Sequence, residues 1–453
     1  MPSPNVSLWR DRLLRFAAGA GGTIVGALLG VVRNKWLATH LETAGIGVVS
    51  QVMASQAWLG ALIGLGLGLP VTRAVAAAAR RGDDAAAWRT TATAFALVFA
   101  ASIPAALLVL AFAEPISTLL LGTPDHAALI RISVFGLVGV GLFGVAQGLC
   151  AGRSDVRAPM AFVLGGAGAA TILTLVLVPR FGLLGATVAT AVLYPVGMAV
   201  MLWIHARRFP AAFGSWPSPL FDRREVVALL SVTGAALALP VLDQGTLLAL
   251  RANVVRVHGP AANGLLQAAL ALSQMVGSLF YAYLASYALG KISAAGSADG
   301  IRSYTRRQWL PIVSAAALIL SLAMVTGGPL LHVLYSNRFD PARAMMSYTL
   351  VGEFGRVCLQ AAALGSLPLG GAGLWFRIGV VQPIALAVCY AAFVAAGSGP
   401  LSLPHAYAAA GAITFATGAW FMARAGAPLG ARNIAAAAAG YALLLTLLRF
   451  ATG

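Results

Sequence analysis

From Leu13 to the end of the chain, apolar residues come in long runs separated by short polar or basic stretches. Most runs hold roughly 17 to 25 residues, and a helix needs about 20 to cross the ~30 Å hydrocarbon core of a bilayer. Barrel strands would instead alternate polar and apolar residues over short segments, so the pattern predicts α-helical spans. Six fall near residues 13–32, 47–70, 90–112, 128–150, 158–178 and 182–204. Six more fall near 226–250, 262–290, 309–335, 344–368, 376–397 and 404–423. A last run, Ile434 to Leu448, is short and Ala-rich and fits either a thirteenth span or a helix lying on the membrane surface.

The longest connection, "HARRFPAAFGSWPSPLFDRRE" (His205 to Glu225), divides the spans six and six, and a second long loop is expected from Lys291 to Gln308. The halves resemble each other weakly. "VVRNKWLATHLETAGIGVVSQVMASQAWLG" follows the first span and "ALRANVVRVHGPAANGLLQAALALSQMVG" the seventh, with a basic pair, a Gly-containing turn and an apolar helix in each. Gly47 and Gly264 mark equivalent places. Six is an even number, so both halves enter from the same side. The expected fold is an all-α polytopic membrane protein of two parallel six-helix lobes, related by a pseudo-twofold axis along the membrane normal, with a site at the midplane between them. The domains are then 1–210, a cytoplasmic linker 211–225, a second lobe 226–423, and a carboxyl-terminal loop with the possible extra span at 424–453.

Composition agrees: 60% of residues are hydrophobic, 9% are charged, and mean hydropathy is +0.86. The net charge of +17 raises the question of nucleic acid, but the basic residues are scattered between apolar spans rather than gathered on one soluble face. Twenty Lys or Arg lie at the amino terminus and in the loops after even-numbered spans, against seven in the opposite loops, which predicts a cytoplasmic amino terminus. The first span follows Arg10, Arg12 and Arg15 with no convincing cleavage site, so it is expected to act as an uncleaved targeting element. Cys150, Cys358 and Cys389 lie in apolar runs without metal or disulfide spacing, and read as core residues.

Four of the seven basic residues on the outer side sit at repeat-equivalent places: Arg33 and Lys35 after the first span, Arg251 and Arg256 after the seventh. If the halves face one another, these four converge near the outer end of a cavity. Arginine's planar fork suits phosphate oxygens, so an anionic headgroup is the ligand expected there. The alternative for each is snorkelling to lipid phosphates. Asp243 and Glu353 are the acids lying well inside apolar spans, at a cost of roughly 2.5–3.5 kcal/mol each, which marks them for ion coupling or gating. Glu353 has Arg356 three residues on, on one helix face, so a merely structural pair is the competing reading. Asp243 cannot reach Arg251 along a regular helix; a bend at Pro240 or Gly245 is one way to change that. No Walker loop, nucleophile elbow or metal-ligand spacing is present, so neither an enzyme nor a cofactor is expected.

Several stretches carry a resemblance. "GLGLPVTRAVAAAARRGD" after the second span and "VPRFGLLGATVATAVLYPVGMAVMLW" (Val178 to Trp203) resemble Wzx-type polysaccharide flippases of the multidrug/oligosaccharidyl-lipid/polysaccharide exporter superfamily. "LVGEFGRVCLQ" (Leu350 to Gln360) is similar to the tenth helix of O-antigen and enterobacterial common antigen translocases. The resemblance implies a flippase of the bacterial cytoplasmic membrane that moves an undecaprenyl-diphosphate-linked oligosaccharide to the outer leaflet by alternating access, with ion-gradient coupling. It implies Arg33, Lys35, Arg251, Arg256 and Arg356 as diphosphate contacts, with membrane lipids and polysaccharide polymerase or assembly proteins as partners. A lipid II flippase would call for fourteen spans, which weighs against that subgroup. The competing functions are a multidrug cation antiporter of the same superfamily, a membrane-embedded polymerase or ligase, which needs a larger outer loop, and a scaffold, which needs no polar cavity.

Overall fold

The computed structural model describes residues 4–155, 157–210, 223–231, 233–284, 288, 292 and 297–452. The linker expected at 211–225 falls mostly outside them, as does Lys291. Among the described residues there are helices and turns and no strand. Among the described residues nine helices are long and apolar enough to cross a membrane, and three of these are too long to cross once: Leu28–Ile63, Arg157–Arg208 and Leu237–Tyr283, at 36, 52 and 47 residues. At 1.5 Å per residue they run to about 54–78 Å, well beyond what tilting accommodates in a ~30 Å core, so each must turn within its length. The backbone does leave helical geometry there, at Glu42 (φ 58°, ψ −169°), Gly182 (φ 52°) and Gly259 (φ 83°). Each therefore combines two of the spans expected from the sequence.

The chain divides into two units, Met1–Leu41 with Val48–Val241, and Glu42–Gly47 with Leu242–Gly453. The first holds most of α1 (Pro4–Ile63), then α2 (Gly68–Arg81), α3 (Asp84–Ala111), α4 (Ala113–Leu121), a 3-10 turn Pro124–His126, α5 (Ala127–Gly152), α6 (Arg157–Phe162), α7 (Gly168–Arg208) and α8 (Arg223–Ser231). The second holds most of α9 (Thr233–Tyr283), then α10 (Ala298–Val325), α11 (Gly327–Leu334), a 3-10 turn Asn337–Phe339, α12 (Ala342–Ala363), α13 (Ser366–Ala395), α14 (Ser402–Arg424) and α15 (Ala431–Thr452). The repeat is visible in this order. Each unit has a kinked helix and then, after α2 in the first, a 28-residue helix, a short helix, a 3-10 turn and a central helix. The kinks at Glu42 and Gly259 lie 217 residues apart (259 − 42), the offset that also relates Gly47 to Gly264 and Gly182 to Gly399.

Within each unit one helix is surrounded by the others. In the first, α5 packs on α2, α3 and α7; in the second, α12 packs on α10, α14 and α15. A surrounded helix need not be apolar toward lipid, and α12, which carries Glu353 and Arg356, is not among the nine candidate spans. The glycine-rich stretches serve close packing. A Cβ on Gly68 would come within 2.9 Å of the Gly144 carbonyl oxygen, and one on Gly166 within 2.4 Å of the Leu193 carbonyl oxygen.

Three expectations change in detail. The second span ends at Ile63, where a turn through Gly64–Leu67 precedes the short helix α2. Most of the loop expected up to Gln308 is helical, because Ser297 caps α10 by accepting from the Gly300 amide at 3.1 Å, and Asp299 lies in the first turn. At the carboxyl terminus the short run Ile434 to Leu448 belongs to a longer helix: α15 has 22 residues and is packed on α10 and α12, burying Ala437, Leu444 and Leu448.

Candidate functional site

The most polar buried cluster in the second unit joins α9, α12 and α14. Glu353 is fully buried at the middle of α12, and its Oε1 accepts from the Tyr281 hydroxyl at 2.5 Å. Its Oε2 accepts from the Tyr407 hydroxyl at 2.9 Å, and that hydroxyl in turn accepts from Arg356 Nη1 at 2.6 Å. The second arm of Arg356, Nη2, faces Asp243 Oδ2 at 3.4 Å. The Arg356 guanidinium also lies over the Tyr407 ring, 5.7 Å from its centroid. Gly277 makes the site possible: a Cβ there would sit 1.9 Å from Glu353 Oε1.

Thus Asp243 and Glu353, expected separately as coupling residues, belong to one network centred on Arg356. The competing structural-pair reading of Glu353 and Arg356 is half realised, since the two meet through Tyr407. The bend expected at Pro240 or Gly245 is not found: α9 leaves helical geometry at Gly259, and Asp243 meets Arg356 of α12. Tyr281 and Tyr407 were not singled out from the sequence, because a tyrosine in an apolar run looks the same whether its hydroxyl is buried or at the interface.

The other basic residues are placed differently from one another. Arg251 is buried, 5% exposed, and its Nε donates to Asn263 Oδ1 at 3.0 Å. The Asn263 amide nitrogen donates to the Gly47 carbonyl at 2.7 Å, in a crossing so tight that a Cβ on Gly47 or Gly264 would lie 1.9 Å from a backbone oxygen. Arg251 therefore braces the turn of α9. Arg256, five residues on, is exposed, and the nearby Tyr390 hydroxyl donates to Asn253 Oδ1 at 2.8 Å. Arg33 and Lys35 lie half-buried on α1, in the first unit.

A second charged cluster, not expected from the sequence, lies in the first unit. Asp155, just past α5, is buried, bonded to His205 Nδ1 at 2.8 Å and paired with Arg208, both of α7. Nearby, Arg153 pairs with Asp84 at 2.6 Å. Partners 50 and more residues apart leave no local pattern in the sequence. The three cysteines are free and buried, as core residues should be.

The family model described as lipid II flippase MurJ matches residues 3–256, more than half of the chain. The chain belongs to the MurJ lipid II flippase family. Membership in the MurJ family overturns the span-count argument that weighed against this assignment and leaves the Wzx-type placement without separate support. Solved structures share the fold. An inward-facing multidrug resistance MATE family transporter of the MOP superfamily aligns with a TM-score of 0.73 at 14% identity, over 89% of this chain and 95% of that one. Lipid II flippase MurJ in an inward closed conformation aligns with a TM-score of 0.70 at 12% identity, over 96% and 92%. A MATE transporter in complex with MaL6 gives 0.65 at 14% identity, over 91% and 96%. Among curated proteins none matches significantly. This MurJ-family chain is thus a multi-span helical membrane protein of a transporter superfamily.

Proposed function

We infer that this MurJ-family protein is a flippase that carries a saccharide, linked by diphosphate to a polyprenol, from the inner to the outer leaflet of a bacterial cytoplasmic membrane. It does so by alternating access, with its amino terminus in the cytoplasm and coupling to an ion gradient. Family membership over residues 3–256 is the observation that carries this reading. Lipid II and the oligosaccharide lipids implied by the Wzx resemblance share the polyprenyl diphosphate, and the basic set suits that group. Arg33 and Lys35 of the first unit and Arg256 and Arg356 of the second are the diphosphate contacts, while Arg251, engaged with Asn263, braces the turn of α9. Asp243 and Glu353 are the coupling residues.

The second reading, a multidrug cation antiporter, is favoured by the likeness to MATE transporters. It needs a carboxylate available to a cationic drug. Both embedded acids already face Arg356, directly or through Tyr407, which argues for the anionic substrate.

The test is export in cells. Arg33→Ala and Lys35→Ala, expressed at the wild-type level in a strain depending on this protein, are expected to lower the surface or periplasmic glycan at least about tenfold, the scale of one lost charge-assisted contact. Undiminished glycan in both would sink the phosphate role of these residues.

A further inference from the structure

Arg356 divides its guanidinium unequally between two acids. One arm is sealed: Nη1 donates to Tyr407, Tyr407 donates to Glu353, and Tyr281 donates to the other oxygen of Glu353, with Glu353 and Tyr407 0% and 1% exposed. The other arm is loose. Nη2 and Asp243 Oδ2 stand 3.4 Å apart, whereas a strong charge-assisted bond is about 2.7–2.9 Å. The two side chains are 22% and 28% exposed, and charged groups at this depth face the bundle interior or an aqueous cavity. The sealed arm holds the guanidinium in place; the loose arm is the one a ligand reaches.

We propose that Asp243 is a displaceable counter-ion of Arg356, whose place is taken by a phosphoryl oxygen of the substrate while Asp243 itself takes up a proton. Anionic substrate and proton are then bound together. The charges immediately around Asp243 favour it. Arg356, Asp243 and Glu353 sum to one negative charge when both acids are ionised, so a diphosphate arriving beside an ionised Asp243 meets a like charge, a repulsion that a proton taken up by Asp243 removes. Protonated, Asp243 loses its hold on Nη2 and offers an O–H to the phosphoryl oxygen. The groups facing Asp243 are Arg356 of α12 directly and, behind it, Glu353 of α12, Tyr407 of α14 and Tyr281 of α9. Arg251, on the helix of Asp243, is engaged with Asn263. Both oxygens of Glu353 already accept hydrogen bonds from hydroxyls, which leaves Asp243 as the acceptor of the incoming proton.

The inference rests on the reading that the substrate carries a diphosphate, and the experiment separates the two. The full-length protein in nanodiscs is titrated with a short-chain prenyl-diphosphoryl-N-acetylglucosamine, whose doubly esterified phosphates keep their charge, between about pH 5 and pH 8. The competent fraction is the one with Asp243 protonated, so apparent affinity should weaken by about tenfold per pH unit on the alkaline side. Calorimetry in two buffers of different ionisation enthalpy should show about one proton taken up per ligand. Asp243→Asn, with Asp243→Ser as a second variant, should bind with a flat pH profile and, near neutral pH, about tenfold or more tightly than wild type. Arg356→Gln should lose the affinity. A wild-type profile without slope, or the same slope in both Asp243 variants, overturns the exchange and leaves the diphosphate reading standing. A probe that binds neither wild type nor the Asp243 variants at any pH overturns both.

Discussion

At the scale of single residues, the account turns on how a fully buried acid is kept. Glu353 persists because two hydroxyls donate to it and because Gly277 leaves room for Oε1. Tyr407→Phe removes the hydroxyl that joins Glu353 to Arg356 and strands a buried acceptor, which should destabilise the protein by about 1–3 kcal/mol in a thermal or denaturant melt of the detergent-solubilised chain. Gly277→Ala should cost about as much through overpacking, and the penalty should shrink in the Gly277→Ala, Glu353→Ala double variant. Strict additivity there would mean that the glycine does not serve the acid. The acids and Arg356 were legible in the sequence, because a charge in an apolar run is conspicuous. The tyrosines, Asn263 and the Asp155–His205 pair were not, because each owes its role to a partner on another helix.

At the scale of elements, the repeat shows where the chain can and cannot turn cheaply. The second half makes its first reversal at a glycine, Gly259, but the first half makes the equivalent one at Glu42, whose φ of 58° and ψ of −169° fall in a region that favours glycine. Glu42→Gly should therefore stabilise the protein, by roughly 1–2 kcal/mol from relief of strain. The ion pair it gives up, with Arg338, is solvent-exposed and contributes little. A lower melting temperature for this variant would show that the kink is not strained. The twelve expected spans fall on helices of the two units, but hydropathy and packing weigh two elements differently. The run of α12, placed as a span at 344–368, is not among the most apolar because it carries Glu353 and Arg356, yet α12 is the centre of its unit; the run of α15 is apolar enough to span, but its Ala-rich sequence suits a surface helix as well as a packed one. Packing decides the second case: Tyr441 meets the Phe354 ring edge-on at 5.0 Å, and Gly440 lies against Phe354. Removing residues 431–453 should uncover the helix that carries Glu353, and fluorescence-detected size exclusion should show aggregated rather than monodisperse protein.

At the scale of the whole molecule, the proposed function assigns to this MurJ-family chain, with its two repeated units and arginine-centred polar network, the transport of an anionic lipid-linked saccharide rather than of a cation. The measurement that tests this most directly is a scrambling assay. Purified protein is reconstituted in liposomes loaded symmetrically with a fluorescent prenyl-diphosphate saccharide, and the label reachable by a membrane-impermeant quencher is followed over time, with a cationic dye assayed in parallel. The account predicts that the quenchable fraction rises from about half toward the whole pool with wild-type protein, stays near half in empty liposomes and with Arg356→Gln, and that the dye is not moved. Quenching that stays near half with folded wild-type protein, together with gradient-driven movement of the dye, would contradict it.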